Sequence, residues 1–280
     1  MAELRRRFDA MGTQSSVVSR QSSQAPHDSQ LSSDQLALET VQREIAACTL
    51  CVEAGFIPMS LPIFRGHAEQ RLMIVGQAPG PSAGERPLPY TGATGKTLQR
   101  WLERAGFAPE ALHRDFYLTS LTKCFPGPAT GMAAKGDRPP SAREIALCAR
   151  HLDREIALVR PRIVIALGRL AAERLDPTAR GLPLIDLVGG LRPAERAGHV
   201  FRLLPLPHPS GVSRWLNDPA HMARLDEALA VLRREVVSRE SEVGSRESEV
   251  GQSHERRTLG SSSSLPTHRF TDSPTPADSR

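Results

Sequence analysis

Four cysteines, the only ones among 280 residues, are spaced in a way that suits metal binding. Cys48 and Cys51 form a C-x2-C pair, Cys124 follows a predicted strand, and Cys148 lies in a predicted helix. A globular chain with one close pair and two single cysteines is more typical of a metal site than of disulfides. The residues alone leave three alternatives: a structural zinc site, a [4Fe–4S] cluster, or plain buried thiols.

A second segment, residues 76–92 (GQAPGPSAGERPLPYTG), has the composition of a ligand-binding loop. Its glycines let the backbone approach a ligand closely, and its prolines stiffen the loop. Gln77 carries an amide that both donates and accepts hydrogen bonds, and Tyr90 offers a ring that can stack on a planar group. The alternative is a proline-rich connection with a packed tyrosine.

A third segment, residues 207–211 (PHPSG), holds a histidine between two prolines. His208 therefore has little backbone freedom, and a neutral imidazole can donate to a carbonyl oxygen on which charge develops. Ser210 can bond a phosphate, Gly211 permits close approach, and Arg214 adds a cation. The alternative is a structural histidine.

Lys96 lies in TGATGKT, which partly matches a phosphate-binding loop. The match fails because Tyr90 occupies the position of the first required glycine and no strand directly precedes the segment. We therefore interpret Lys96 either as an exposed cation at a helix start or as a contact to DNA phosphate.

The elements that must position these side chains follow from hydrophobic patterning. Continuous apolar runs predict four buried strands, at 71–76, 115–121, 162–167 and 200–206. Helical patterns alternate with them, including one that begins with a capping box at Ser141 and Glu144. This alternation predicts a three-layer α/β/α sandwich with a central four-stranded parallel sheet. Ligands in such folds bind beyond the carboxyl ends of the strands, which the 76–92 and 207–211 segments directly follow.

Composition sets the boundaries of the globular region. Residues 1–34 are rich in Ser, Gln and Arg, and residues 236–280 contain a near-duplicate SRESEVG followed by a Ser/Thr/Pro tail. Neither can bury enough apolar surface to offset its conformational entropy, so both are predicted to be disordered tails. Residues 35–235 are long enough for one core.

The net charge of +5 and the pI of about 9.4 permit a nucleic-acid partner. Of the 36 Lys and Arg residues only three are lysine. Arginine pairs well with phosphate, although a codon bias towards arginine would give the same composition. A targeting signal and a membrane-length apolar run are both lacking, so we expect a cytoplasmic monomer with no membrane partner.

In the order of its motifs the chain resembles the uracil-DNA glycosylase superfamily, specifically its iron–sulfur, family 4-like branch. The resemblance covers about residues 45–235. The matching pieces are the C-x2-C pair, the GQAPG loop ending in Pro89-Tyr90-Thr91-Gly92, Lys123-Cys124, Glu144-Ile145 with Cys148, RIVIALG, and His208-Pro209-Ser210. The resemblance implies the α/β/α fold, excision of uracil from DNA in base excision repair, and a [4Fe–4S] cluster on the four cysteines.

Carried over by position, the resemblance also implies substrate-binding residues. Gln77 and the backbone at Ala78 would face the uracil edge, and Tyr90 would stack on the base. Ser120 stands where an asparagine often reads uracil. His208 would stabilise negative charge on uracil O2, so His208 and Gln77 are the expected catalytic residues. The expected DNA-binding residues are Ser210, Gly211, Arg214 and Lys96.

The chain departs from that family in several places, including the first loop, where Gln77, Ser82, Ala83 and Gly84 stand at positions that are usually acidic. Ala78 stands where other branches carry a water-activating aspartate, Ser120 replaces the asparagine, and a Gly/Ala-rich insert occupies 127–138. Glu85 is a candidate replacement carboxylate. Two functions are therefore expected: a uracil-DNA glycosylase acting on uracil or a related deaminated base that it flips out of the helix or, alternatively, a weak or inactive protein of the same fold that binds uracil or damaged DNA.

Overall fold

The computed structural model describes residues 33–81, 88–130, 136–210 and 214–236. The two predicted disordered tails lie almost wholly outside these ranges. Contacts divide the chain into two units, Met1–Arg233 and Arg234–Arg280. The architecture below is that of the first unit; of the second, only 234–236 are described, and they are helical.

A single five-stranded sheet forms the centre of the first unit. Its strands are β1 Leu72–Gly76, β2 Phe116–Ser120, β3 Ile163–Leu167, β4 Arg192–Arg196 and β5 His199–Leu206. The order across the sheet is β2-β1-β3-β5-β4, with β2, β1, β3 and β5 parallel to one another. β4 pairs antiparallel with β5 at the edge.

The prediction of a four-stranded, wholly parallel sheet is therefore wrong by one strand. The four strands predicted from apolar runs are β1, β2, β3 and β5, three of which are buried at every position. β4 was not predicted because its sequence, RPAER, alternates half-buried and exposed residues, as an edge strand does. A strand with one face in solvent carries no continuous apolar run to detect.

The helices are bounded as follows: α1 Ser33–Ala46, α2 Leu50–Glu53, α3 Ala93–Arg104, α4 Ala111–Arg114, α5 Ala142–Val159, α6 Arg169–Leu175, α7 Leu184–Leu187 and α8 219–236. The predicted capping box is present: Glu144 N–H donates to Ser141 Oγ, and the Glu144 carboxylate accepts from Ser141 N–H at 2.7 Å. This box fixes where α5 begins.

Helices cover both faces of the sheet. On one face α1, α5 and α6 pack on Met73, Val75 and Val164. On the other face α3 and α8 pack on Ile74 and Ile165. Successive strand residues point to opposite faces, so each strand contributes to both cores. The three-layer α/β/α arrangement is thus present around the larger sheet.

The carboxyl ends of the four parallel strands meet at one edge, as that topology requires. None of the helices in the described part of the chain combines the length and apolarity needed to cross a bilayer.

Candidate active site

A pocket of about 540 Å³ opens at the carboxyl ends of the parallel strands. Its size falls in the range of small-molecule sites. Five side chains or backbones expected from the sequence to bind substrate line this pocket, namely Gln77, Ala78, Tyr90, Ser120 and His208. The fold thus brings together residues from three loops that are distant in sequence.

The Gln77 loop is tied to the end of the neighbouring strand. Leu121 N–H donates to the Gly76 carbonyl at 2.9 Å, and Thr122 N–H donates to the Gln77 carbonyl at 3.3 Å. A Cβ at Gly76 would lie 2.8 Å from the Tyr90 hydroxyl oxygen and 3.3 Å from Ser120 Oγ. Glycine is therefore needed here so that Tyr90 and Ser120 can close over the strand end.

Tyr90 is held in an unusual backbone conformation. Its φ of 58° lies in the left-handed region, and the preceding carbonyl, of Pro89, is bonded by the His113 ring at 2.8 Å. The Tyr90 carbonyl packs so closely against Gly95 that any Cβ at Gly95 would collide with it. The Tyr90 hydroxyl is buried with no hydrogen-bond partner among the described residues, and this burial raises its pKa. The group is neutral, and its ring forms part of the pocket wall.

His208 is half-buried and packs over the start of α6. The backbone at Gly168 requires glycine because its φ is 87°, and a Cβ there would lie in van der Waals contact with the His208 Cβ, at 3.4 Å. Burial lowers the pKa of His208, while the charge of Asp137 opposes that shift. The net lowering leaves a neutral imidazole at neutral pH, the form that acts as a hydrogen-bond donor without carrying charge.

Asp137 and Arg138 also line the pocket, and neither was expected from the sequence. Both lie at the end of the Gly/Ala-rich insert at 127–138, which shows no apolar periodicity and no motif that marks a site. Burial raises the pKa of the Asp137 carboxyl, and the nearby His208 opposes this. The sequence carries no signal for them beyond two charged residues at the end of the insert.

The residues expected to bind DNA are only partly gathered here. Ser210 lines the pocket, whereas Lys96 lines a shallower neighbouring groove that shares Tyr90. Arg214 lies outside the pocket lining, just before a 3-10 turn, Trp215–Asn217. Gly211 and the predicted carboxylate Glu85 fall outside the described residues.

The four cysteines line one small cavity on the other side of the β2 terminus. They come from the chain before and within α2, from the segment after β2, and from α5. All four are free thiols. Burial, reinforced by the neighbouring thiols, raises the pKa of Cys51 to about 12. Crowded thiols of this kind lose their protons when a cation binds them, because the cation then neutralises the thiolate charge.

His151 provides an independent indication that this cavity suits an inorganic group. It lines the cavity one turn beyond Cys148, and neither of its buried ring nitrogens has a hydrogen-bond partner among the described residues. Over the described ranges, three or more His, Cys, Asp or Glu side chains are nowhere arranged around a single metal-ion position. The four thiols and the imidazole nevertheless line the same cavity, and cysteine sulfur is the ligand that structural zinc and iron–sulfur clusters take.

Lys123 connects the thiol cavity with the pocket. Its backbone N–H donates to Cys148 Sγ at 3.3 Å, and its ammonium donates to the Ser120 carbonyl at 2.8 Å and to Thr119 Oγ1 at 2.5 Å. Thr119 and Ser120 line the pocket. The two cavities therefore share one buried segment of chain.

Comparison with known proteins gives a consistent result. The family model described as the uracil DNA glycosylase superfamily matches residues 64–232. A type-4 uracil-DNA glycosylase of Archaeoglobus fulgidus is 27% identical over 188 residues, covering 63% of this chain and 83% of that protein. One of Pyrobaculum aerophilum is 30% identical over 198 residues, covering 69% and 92%. One of Sulfurisphaera tokodaii is 31% identical over 134 residues, covering 48% and 55%.

Proposed function

The chain belongs to the uracil-DNA glycosylase superfamily, and from this premise we propose that it excises uracil, or a related deaminated base, from DNA. The type-4 names of its relatives support the choice of base. The observation that carries the proposal is the convergence of Gln77, Tyr90 and His208 on one pocket at the carboxyl ends of the strands.

Each of these residues has a role that its chemistry permits. A base flipped out of the duplex lies against the Tyr90 ring, while the Gln77 amide and the backbone at Ala78 meet its polar edge. Ser120 adds a hydroxyl at the same wall. Neutral His208 donates a hydrogen bond to uracil O2, where negative charge grows as the glycosidic bond breaks.

The bond cleavage needs little more than stabilisation of the leaving group. The N1–C1′ bond breaks with both electrons passing to uracil, which leaves as an anion, and the deoxyribose becomes an oxocarbenium-like cation. Water adds to C1′ and loses a proton, so the products are free uracil and an abasic site. The interactions of His208 strengthen only as this charge develops, which is the condition for catalysis rather than binding.

The four cysteines are proposed to hold a [4Fe–4S] cluster, and zinc is the alternative. Support comes from the shared cavity, from the orphaned His151 nitrogens and from the resemblance to the iron–sulfur branch. When bound, the cluster would cross-link α2, the segment after β2 and α5. Metal analysis of the purified protein tests this: we expect about four iron atoms per chain. Zinc without iron would contradict it.

The partner of the pocket is proposed to be DNA. Ser210 at the rim, Lys96 in the neighbouring groove and Arg214 beyond the pocket are the expected phosphate contacts. Binding that weakens steeply with salt would support this surface.

The function is tested on a labelled oligonucleotide that carries one uracil, either single-stranded or opposite G or A. Excision followed by alkali should break the strand at the uracil. We expect His208→Ala to slow single-turnover excision by about 100-fold or more, and to cost more than Glu85→Gln. His67→Ala, which changes an exposed histidine outside the pocket, is the matched control.

Two results would overturn the proposal. One is equal excision by wild type and His208→Ala when circular dichroism shows both folded. The other is no strand breakage by the wild type together with a gel shift that favours uracil DNA, which would identify the alternative, a binding protein of the same fold.

A further inference from the structure

Asp137 is the only carboxylate among the described residues that line the pocket. It enters from the insert at 127–138 and not from the loop after β1. Its Oδ2 lies 3.9 Å from the position of a Cβ at Gly80, so the carboxyl reaches the Gln77 loop. The side chain remains open to solvent.

The backbone on both sides of Asp137 is fixed. Asp137 forms an antiparallel bridge with Pro128, Arg138 N–H donates to the Gly127 carbonyl at 3.1 Å, and Ala129 N–H donates to the Gly136 carbonyl at 3.0 Å. The two ends of the insert are thus paired with each other.

The next side chain anchors this pair of segments to the domain. Arg138 makes a two-pronged ion pair with Glu144, both N–O distances being 2.8 Å, and donates to the Phe56 carbonyl at 3.2 Å. Glu144 in turn belongs to the capping box of α5. Bidentate arginine–carboxylate pairs fix direction as well as distance. Asp137 is therefore held at the pocket by the start of the helix that carries Cys148.

Asp137 and His208 line the same pocket. Each shifts the pKa of the other, Asp137 raising that of His208 and His208 lowering that of Asp137. With His208 neutral, the described lining of the pocket presents one negative group on the side of the insert and a hydrogen-bond donor on the side of β5.

We propose that Asp137 is a catalytic residue, the carboxylate that steadies the cationic sugar and takes the proton of the attacking water. This inference rests on the proposed function and adds a residue supplied from a different part of the chain than the glycine-rich loop. That loop has Ala78 and no carboxylate in its described part.

The step balances as follows. As N1–C1′ breaks, uracil departs with the bonding electron pair, its O2 held by His208, and positive charge collects on C1′ and the ring oxygen. A water oxygen forms the new bond to C1′ and passes one proton to an Asp137 carboxylate oxygen. The proton then leaves to solvent or to the uracil anion. Exposure of Asp137 to solvent gives the water a route in, and the carboxylate is regenerated.

The test compares single-turnover excision by Asp137→Asn, Asp137→Glu and Asp186→Asn. Asp186 is an exposed carboxylate outside the pocket and serves as the matched control. We expect Asp137→Asn to lower the excision rate about 100-fold while affinity for uracil DNA, measured by fluorescence anisotropy, stays within twofold. Asp137→Glu should restore part of the rate, and Asp186→Asn should match the wild type.

The outcomes separate this inference from the proposed function. Wild-type excision with a fully active Asp137→Asn overturns the role of Asp137 alone, and so does a large loss in Glu85→Gln with none in Asp137→Asn. An equal loss of rate and of DNA affinity in Asp137→Asn would make it a binding group and overturn the catalytic role. No excision by the wild type overturns both proposals.

Discussion

Lys123 and Glu155 form an ion pair with an Nζ–Oε2 distance of 2.7 Å in which 2% and 0% of the two side chains are exposed. Thr119 Oγ1 donates to the same carboxylate oxygen at 2.9 Å, and the Tyr117 hydroxyl donates to the other at 3.1 Å. Every oxygen of the carboxylate is thus satisfied inside the core. The pair is tolerable at this depth because both charges are fully hydrogen-bonded.

Removal of one partner should be strongly destabilising. We expect Glu155→Leu to lower the free energy of unfolding in urea by about 3–5 kcal/mol, because it leaves the Lys123 ammonium buried and unpaired. The double variant Lys123→Met/Glu155→Leu should recover much of that loss. A surface pair, Arg154 with Glu44, provides the control, and Glu44→Gln should leave the unfolding midpoint unchanged. If Glu155→Leu changed the free energy of unfolding only slightly, Lys123 would have to be hydrogen-bonded to water or to another group.

The two tyrosines should respond oppositely to loss of their hydroxyls. Tyr90→Phe removes a buried hydroxyl without a partner, so we expect stability to rise by about 1 kcal/mol, with excision kept because the ring remains. Tyr117→Phe removes a donor to Glu155 and should lower stability by a similar amount. Urea denaturation measures both. A loss of excision in Tyr90→Phe would show instead that this hydroxyl binds substrate.

Gly95→Ala should disturb the pocket by displacing the backbone of Tyr90. A Cβ at this position would collide with the Tyr90 carbonyl, and backbone atoms cannot move aside as a flexible side chain can. We expect a loss of about 1–3 kcal/mol in stability together with slower excision. Gly190→Ala is the control, since a Cβ there meets nothing within 4 Å and its φ is not positive. Equal behaviour of the two variants would contradict the crowding at Tyr90.

The ionisation of His208 can be followed directly by NMR titration of its imidazole. Because burial lowers the pKa, we expect a midpoint below the usual value of about 6.5. The Asp137 charge raises the His208 pKa, so Asp137→Asn should move the midpoint still lower. An unchanged or higher midpoint in that variant would show that the two groups do not interact.

The sequence was sufficient for most of the framework. β1, β2 and β3 are buried at every position, so they stand out as apolar runs, and the Ser141 capping box is local chemistry within four residues. β4 was missed because half of its residues face away from the core. Buried strands and helix caps depend on neighbouring residues in the sequence, so sequence patterns predict them.

The candidate site divides in the same way. Gln77 and His208 come shortly after the ends of β1 and β5. Because these strands run parallel, both residues lie at the same edge of the sheet. Asp137 depends on a bridge to Pro128 and on an ion pair between Arg138 and Glu144, none of which leaves a periodic trace in the sequence. The burial of Lys123 was equally hidden, since a lysine in a loop is normally exposed.

Ser120 faces the pocket and Cys124 faces the thiol cavity, with three residues between them. Lys123 holds this short connection through hydrogen bonds to Cys148 on one side and to Thr119 and Ser120 on the other. The connection therefore fixes the distance between the pocket and the thiol cavity. An insertion within 121–123 would move either the pocket wall or a thiol out of register. Transplanting the pocket into another scaffold would therefore mean carrying the four cysteines with it.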